Sequence, residues 1–324
     1  MRPGLAALAA TLLLAGCLPA QQPVPFGPGF YPSAIAWDPA ADTLLVASFA
    51  TGAVVALDRA GRPVATVRPG AADRRLVQIA LDPARRVLWS LLPGAIEVRE
   101  LDGTGAQRIA LPGGGRAGGA RGDLALDRGS AYVLDAAAGQ VLRVRAQPAR
   151  VDLVATLPIT GAAAPDDDGP GPPGVDGAIA ALPGGNALFV ALGGRMWRVS
   201  VADGARTELA LAHPLSHVSQ LAVLASTDEG TRMIALRGYR NELVALRVSA
   251  DGPRIEVDER HRIAADTPLR AAFDGRALFV LLSPVRHHPA LGGDGRPNVP
   301  GRLVRLETET LGLAPLRVAH ATGD

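Results

Sequence analysis

Among its 324 residues the chain has a single cysteine, Cys17, and no lysine at all. One cysteine excludes an internal disulfide, and its place near the N-terminus leaves the body of the chain without a thiol nucleophile or a cysteine-based metal site. The missing lysine excludes Schiff-base and pyridoxal chemistry and the lysine of a phosphate-binding loop. All 33 basic residues are therefore arginine, set against 31 acidic ones. No arginine run interleaved with aromatics occurs, and no nucleic-acid partner is expected. Aromatic residues are scarce, at 4%, so the interior must be filled by Ala, Val, Leu and Ile. Neither a Gly-x-Ser-x-Gly elbow nor a His-Glu-x-x-His, Walker or dinucleotide-binding signature is present. Gly113-Gly114-Gly115 lacks the strand-to-helix setting of a phosphate cradle and reads as loop. No apolar stretch reaches the roughly 20 residues that a membrane-spanning helix needs. What abounds is glycine and proline, 38 and 27 residues, which punctuate many short strands and oppose a helical protein.

The N-terminal segment stands apart. Residues 1–17 carry one arginine, a mainly apolar stretch over 5–15 and the tetrad Leu14-Ala15-Gly16-Cys17. Their length and flanks are those of an export signal rather than of a buried or spanning helix. The tetrad resembles the lipobox of bacterial lipoproteins, which implies cleavage before Cys17 and lipidation of that residue. The expected partition is a signal peptide over 1–16, a Pro/Gly-rich tether over 17–30 and a single repeat-built domain over 31–324. The lipid makes the membrane the first expected partner, and Leu18, in place of an Asp, points to the periplasmic side of the outer membrane if the cell is Gram-negative. Loss of Arg2 with the signal leaves 32 basic residues against 31 acidic ones, a balance that gives no basic face.

Residues 122–144, GDLALDRGSAYVLDAAAGQVLRV, hold three short apolar runs split by an Asp-Arg-Gly turn and an Ala-Ala-Ala-Gly turn. That is the pattern of closely spaced antiparallel strands. It recurs, and aligning on the strand that opens each unit gives six openings, at 33–37, 77–81, 123–126, 178–182, 220–224 and 269–273. Their spacing of 42 to 55 residues leaves room for four strands per unit, close to the roughly 40–50-residue period of propeller blades. The predicted fold is an all-β six-bladed β-propeller of four-stranded antiparallel blades, the last ending on 315–319. A seven-bladed ring and a β-sandwich are the competing readings. In the third unit Leu124-Ala125-Leu126-Asp127, Tyr132-Val133-Leu134-Asp135 and Val141-Leu142-Arg143-Val144, and in the first Ile35-Ala36-Trp37-Asp38 and Leu57-Asp58, resemble the blades of the NHL and regucalcin/gluconolactonase group. The resemblance runs over about residues 31–320. Its motifs are architectural and imply fold before activity.

The turns from first to second and from third to fourth strand are short, and neither class is expected to build a pocket. The other two classes of connection share the opposite face and hold the long loops, 111–122, 160–177, 212–219 and 283–301. That face is expected to be the working one. The residues that start each innermost strand point to the channel mouth there: Ser33, Gln78, Asp123, Asp176 with Gly177, Gln220 and Arg270. Six-fold geometry sets Asp123 opposite Arg270 and Gln78 opposite Gln220. These last four, roofed by loops that hold His217 and His287, form the candidate site for a small polar ligand or a protein partner. Arg270 favours an anionic or carbonyl-bearing group. The repeated aspartates at turns, Asp58 and Asp127 among them, read as structural. Asp166-Asp167-Asp168-Gly169 lacks the alternating ligands of a calcium loop and reads as solvated loop.

The gluconolactonase resemblance implies a divalent cation in the channel, held by a Glu at the first blade's opening, two Asn and an Asp. Here that opening is Tyr31-Pro32-Ser33 and no Asn begins an innermost strand, which leaves Asp123 and Asp176 as oxygen ligands for calcium. A hard cation wants about six or more. Zinc would fall to His213 and His217, but Pro214 opposes the helix that would bring their rings together, and with His287 and His288 they read as exposed loop histidines. No cofactor is expected, and the leading function is binding without catalysis by a monomeric envelope protein. A metal-dependent lactonase-type hydrolase and a structural assembly factor of the envelope are the alternatives.

Overall fold

The computed structural model describes residues 24–27, 29–71, 75–113, 122–158, 177–250, 252–263, 268–288 and 301–307. The signal and lipobox, 166–169, Asp176 and 315–319 lie outside the described residues. The chain forms six four-stranded antiparallel sheets, five of them built from four strands consecutive in sequence. They are the blades of a propeller, over 32–68, 78–110, 122–156, 177–209, 218–262 and 268–307. The first strands of consecutive blades touch all the way round, from Pro32–Asp38 through Gln78–Asp82, Gly122–Asp127, Gly177–Ala181, Val218–Thr227 and Pro268–Phe273 back to the start. The ring is therefore closed, and the fold is the predicted six-bladed propeller. Each observed inner strand begins within two residues of its predicted opening.

Burial within a blade follows from how many sides are walled by neighbours. Second strands lie between adjacent blades and read as unbroken apolar runs: Ala187–Leu192 (ALFVAL) and Ala277–Leu282 (ALFVLL) are buried at every position. Outer strands have one free edge and are polar. Ile255–Arg262 (IEVDERHR) is buried only at its first residue, and its charges discourage edge-to-edge pairing. The core is thus divided into seams between blades. Trp89, Leu91 and Ile96 of blade 2 pack on Leu124, Val133 and Leu142 of blade 3, and Phe189 and Met196 of blade 4 on Met233 and Val244 of blade 5.

The aspartates at the short turns cap them. Asp38 Oδ1 accepts from the Ala40 and Ala41 amides (3.1 and 3.3 Å), Asp135 Oδ1 from Ala137 and Ala138 (3.1 and 3.0 Å), and Asp274 Oδ1 from Arg276 and Ala277 (2.8 and 2.7 Å). Asp58 does the same with Ala60 and Arg62, both at 2.9 Å. Asp127 departs from this reading: it makes no such bond among the described residues, and burial raises its pKa against the opposing charge of Arg128.

Blade 6 takes its fourth strand from the other end of the chain. Val24 pairs with Leu303 and Pro25 with Arg302, and the Phe26 amide donates to the Gly301 carbonyl at 2.9 Å. Part of the segment expected to be a passive tether therefore joins the ring.

Candidate functional site

The channel mouth is built from the ends of the six inner strands, and most of its polar side chains reach sideways to the next blade. Ser33 Oγ donates to the Leu76 carbonyl at 2.7 Å, linking blade 1 to blade 2. Gln78 Nε2 donates to Asp123 Oδ1 at 2.7 Å, linking 2 to 3, and the Ile179 amide donates to Asp123 Oδ2 at 2.9 Å, linking 3 to 4. Gln220 holds both main-chain groups of Ala271, donating to its carbonyl at 2.9 Å and accepting from its amide, which links 5 to 6. Ser283 Oγ donates to the Pro32 carbonyl and links 6 to 1. Gln78 and Gln220, set opposite one another by symmetry, thus do not meet across the channel.

Asp123 and Arg270 do meet. Arg270 Nη2 lies 3.6 Å from Asp123 Oδ1, joining blades 3 and 6, with the two residues 1% and 6% exposed. This contact is an ion pair beyond hydrogen-bond reach. Arg270 Nε and Nη1 are buried and have no hydrogen-bond partner among the described residues. Leaving a buried donor unmade costs about 1–3 kcal/mol, so two donors of this guanidinium carry a cost that only its ion pair with Asp123 counters.

The histidines are not arranged as expected. His217 is buried, sits at φ 59° and packs edge-on against Tyr239 with ring centroids 5.6 Å apart, while His213 is exposed. His287 lies in the one-turn helix Val285–His287 and its amide donates to the Pro284 carbonyl at 2.8 Å. It is the neighbouring His288 that packs, edge-on to Tyr31 (4.9 Å) and Phe49 (5.1 Å), and burial, with the nearby charge of Arg75, lowers its pKa. These rings, His217 buried and His288 half-buried, correct the expectation of exposed loop histidines. Aromatic burial is a three-dimensional property that loop composition does not carry.

The described residues do not fit a divalent cation. Both oxygens of Asp123 already accept hydrogen bonds and a guanidinium stands 3.6 Å away, so a metal would have to displace donors and face a like charge. No group of three His, Cys, Asp or Glu side chains converges as a metal site among the described residues.

A second concavity corrects another expectation. On the face opposite the long loops, where short turns were expected to leave no pocket, a groove of about 630 Å³ opens between blades 2 and 3. Turn length alone is a poor guide because side chains build its walls: Arg85 and Arg128 from first-to-second turns, Arg145 beside a third-to-fourth turn.

No protein-family model matches the chain, and no curated protein sequence does. Solved structures do resemble it. The major allergen Mala s 1 of Malassezia sympodialis matches with a TM-score of 0.60 at 13% identity, over 88% of this chain and 96% of that one. A protein of unknown function from Bacteroides thetaiotaomicron gives 0.58 at 15%, over 89% and 73%. Virginiamycin B lyase from Staphylococcus aureus gives 0.52 at 12%, over 87% and 99%. At these identities the likeness is one of fold, and function has to come from the site.

Proposed function

We propose that this protein is a lipid-anchored envelope protein whose propeller binds a small polar ligand, one bearing a carboxylate or carbonyl oxygen, at Arg270 and without catalysis. The observation that carries this reading is the buried guanidinium with two N–H groups unpaired, placed at the end of the channel where the long connections emerge. An arginine presents fixed donors and stays charged, so an anionic oxygen is its natural complement. Neither N–H has an acceptor among the described residues, so a ligand oxygen there supplies bonds that the fold leaves unmade. Gln78, Asp123, Gln220 and Arg270 lie at the starts of inner strands at this mouth, and the carboxylate among them is fully engaged, which supports binding over acid–base chemistry. The lactonase alternative needs a cation that this donor set does not suit.

Two experiments test the reading. Calorimetric titration of a panel of small carboxylates into the mature chain carrying Cys17→Ser should find a saturable ligand whose binding Arg270→Met abolishes. A ligand held equally by that variant would refute the site. Fractionation of cells expressing wild type and Cys17→Ser tests the anchor, and equal membrane association of both would refute it.

A further inference from the structure

We propose that the groove between blades 2 and 3 is a second ligand site, one that takes a planar apolar ring carrying a single carboxylate. Its volume, about 630 Å³, lies within the roughly 300–1,000 Å³ typical of small-molecule sites. Val87, Trp89 and Val98 are the apolar part of its lining, and Arg85, Arg128 and Arg145 its cationic part. Splaying of neighbouring blades accounts for a furrow here; it does not account for three arginines around apolar groups.

The donor balance decides the charge of the occupant. The lining has two carboxylates, Asp82 and Glu100, and both are engaged. Asp82 Oδ2 accepts from Arg85 Nη1 at 2.8 Å and its Oδ1 from the Arg85 amide at 3.1 Å, while Glu100 Oε2 accepts from Thr104 Oγ1 at 3.0 Å. Arg145 spends Nη2 on Asp152 at 2.7 Å, and its Nε is buried with no partner. Arg128 is exposed and makes no hydrogen bond or ion pair among the described residues. The Arg128 guanidinium thus has donors that no hydrogen bond uses, beside the apolar groups of Val87 and Val98, and a guanidinium can also stack on a flat ring. The wall depends on glycine as well. Gly129 has φ +73°, a backbone conformation that favours glycine, and the Arg85 guanidinium lies close over it, with Nη1 2.8 Å from where a Cβ would stand.

The test uses 2-naphthoate as probe, titrated calorimetrically into the mature chain carrying Cys17→Ser. One saturable site is expected, and both Arg128→Ala and replacement of the probe by uncharged 2-naphthamide should weaken binding about tenfold or more. Arg128 is on the surface, so its variant should keep the wild-type melting temperature. Arg270→Met, in the channel, should leave naphthoate binding unchanged, which separates this site from the one proposed at the mouth. Absence of saturable binding, equal affinity for the amide, full affinity in Arg128→Ala or loss of binding in Arg270→Met would each overturn the proposal.

Discussion

Replacing Arg270 with methionine distinguishes a binding group from a structural counter-ion. The side chain is 6% exposed, its contact with Asp123 is 3.6 Å, and two of its N–H groups are unpaired. At an effective dielectric of about 20 a pair at that distance is worth about 4–5 kcal/mol, and two unmade buried donors offset about 2–6 kcal/mol of it. Methionine keeps an unbranched apolar stem that ends about where Nε stood and removes both the charge and the orphaned donors. Asp123 keeps its hydrogen bonds from Gln78 and the Ile179 amide, at 2.7 and 2.9 Å. The variant should therefore lose less than about 3 kcal/mol in urea denaturation, the two hydrogen bonds to Asp123 standing in for the lost counter-charge, while losing the ligand. Asp123→Asn is the contrasting control: it leaves the buried guanidinium without a counter-charge and should cost about 3 kcal/mol or more. A loss of that size in Arg270→Met would refute the reasoning, because Arg270 would then be held for Asp123 and not for a ligand.

Arg68 is the opposite case, 1% exposed with Nε 3.0 Å from Glu97 Oε1 and a further bond to the Gly52 carbonyl. Arg68→Met should cost about 3 kcal/mol in the same assay, since Glu97 is left buried with only Arg99 beside it. Deleting residues 17–25 should lower stability by about 1–2 kcal/mol through the lost edge of blade 6, read as a fall in melting temperature. His288 titrates below its ordinary value of 6.5 because burial disfavours its charged form. The unfolded chain then takes up a proton that the folded one does not, so this group's contribution is present above that value and fades as pH falls below it. Comparing urea midpoints between about pH 7.5 and pH 5 should show a smaller drop in His288→Phe than in wild type.

What was legible in the sequence was whatever repeats. Six strand openings with turns between them specify six blades, and the count alone sets unit 3 against unit 6, which opposes Asp123 to Arg270. Gln78 and Gln220 were opposed by the same symmetry, but an amide side chain at a strand start finds unpaired main-chain or carboxylate partners in the next blade before it can span a channel. The strand Val24–Pro25 is two residues long and has no period to detect. The blade 2–3 groove was missed because turn length was read without the reach of Arg85 and Arg128, and His288 because its contacts come from the first blade, at Tyr31 and Phe49.

The sideways bonds at the mouth also explain why polar residues occupy those positions whatever the ligand. Five of the six blade junctions are clasped there by Ser33, Gln78, Asp123, Gln220 or Ser283. At the junction of blades 4 and 5 the position that holds Gln78 and Asp123 in blades 2 and 3 is Ala178, paired with Ala191 as Asp123 is with Leu134, and its methyl group has nothing to donate or accept. The same two blades are joined farther out, where the Ala210 amide donates to the Pro253 carbonyl at 2.5 Å and the Ile255 amide to the Ala210 carbonyl at 3.0 Å. A polar ring at a propeller's mouth is therefore first a closure device, since each inner strand begins with main-chain groups that the next blade can satisfy. Recognition has to be sought in whatever that device leaves over. Among the described residues of the mouth the remainder is one side chain, Arg270, whose two unpaired N–H groups hold no junction together.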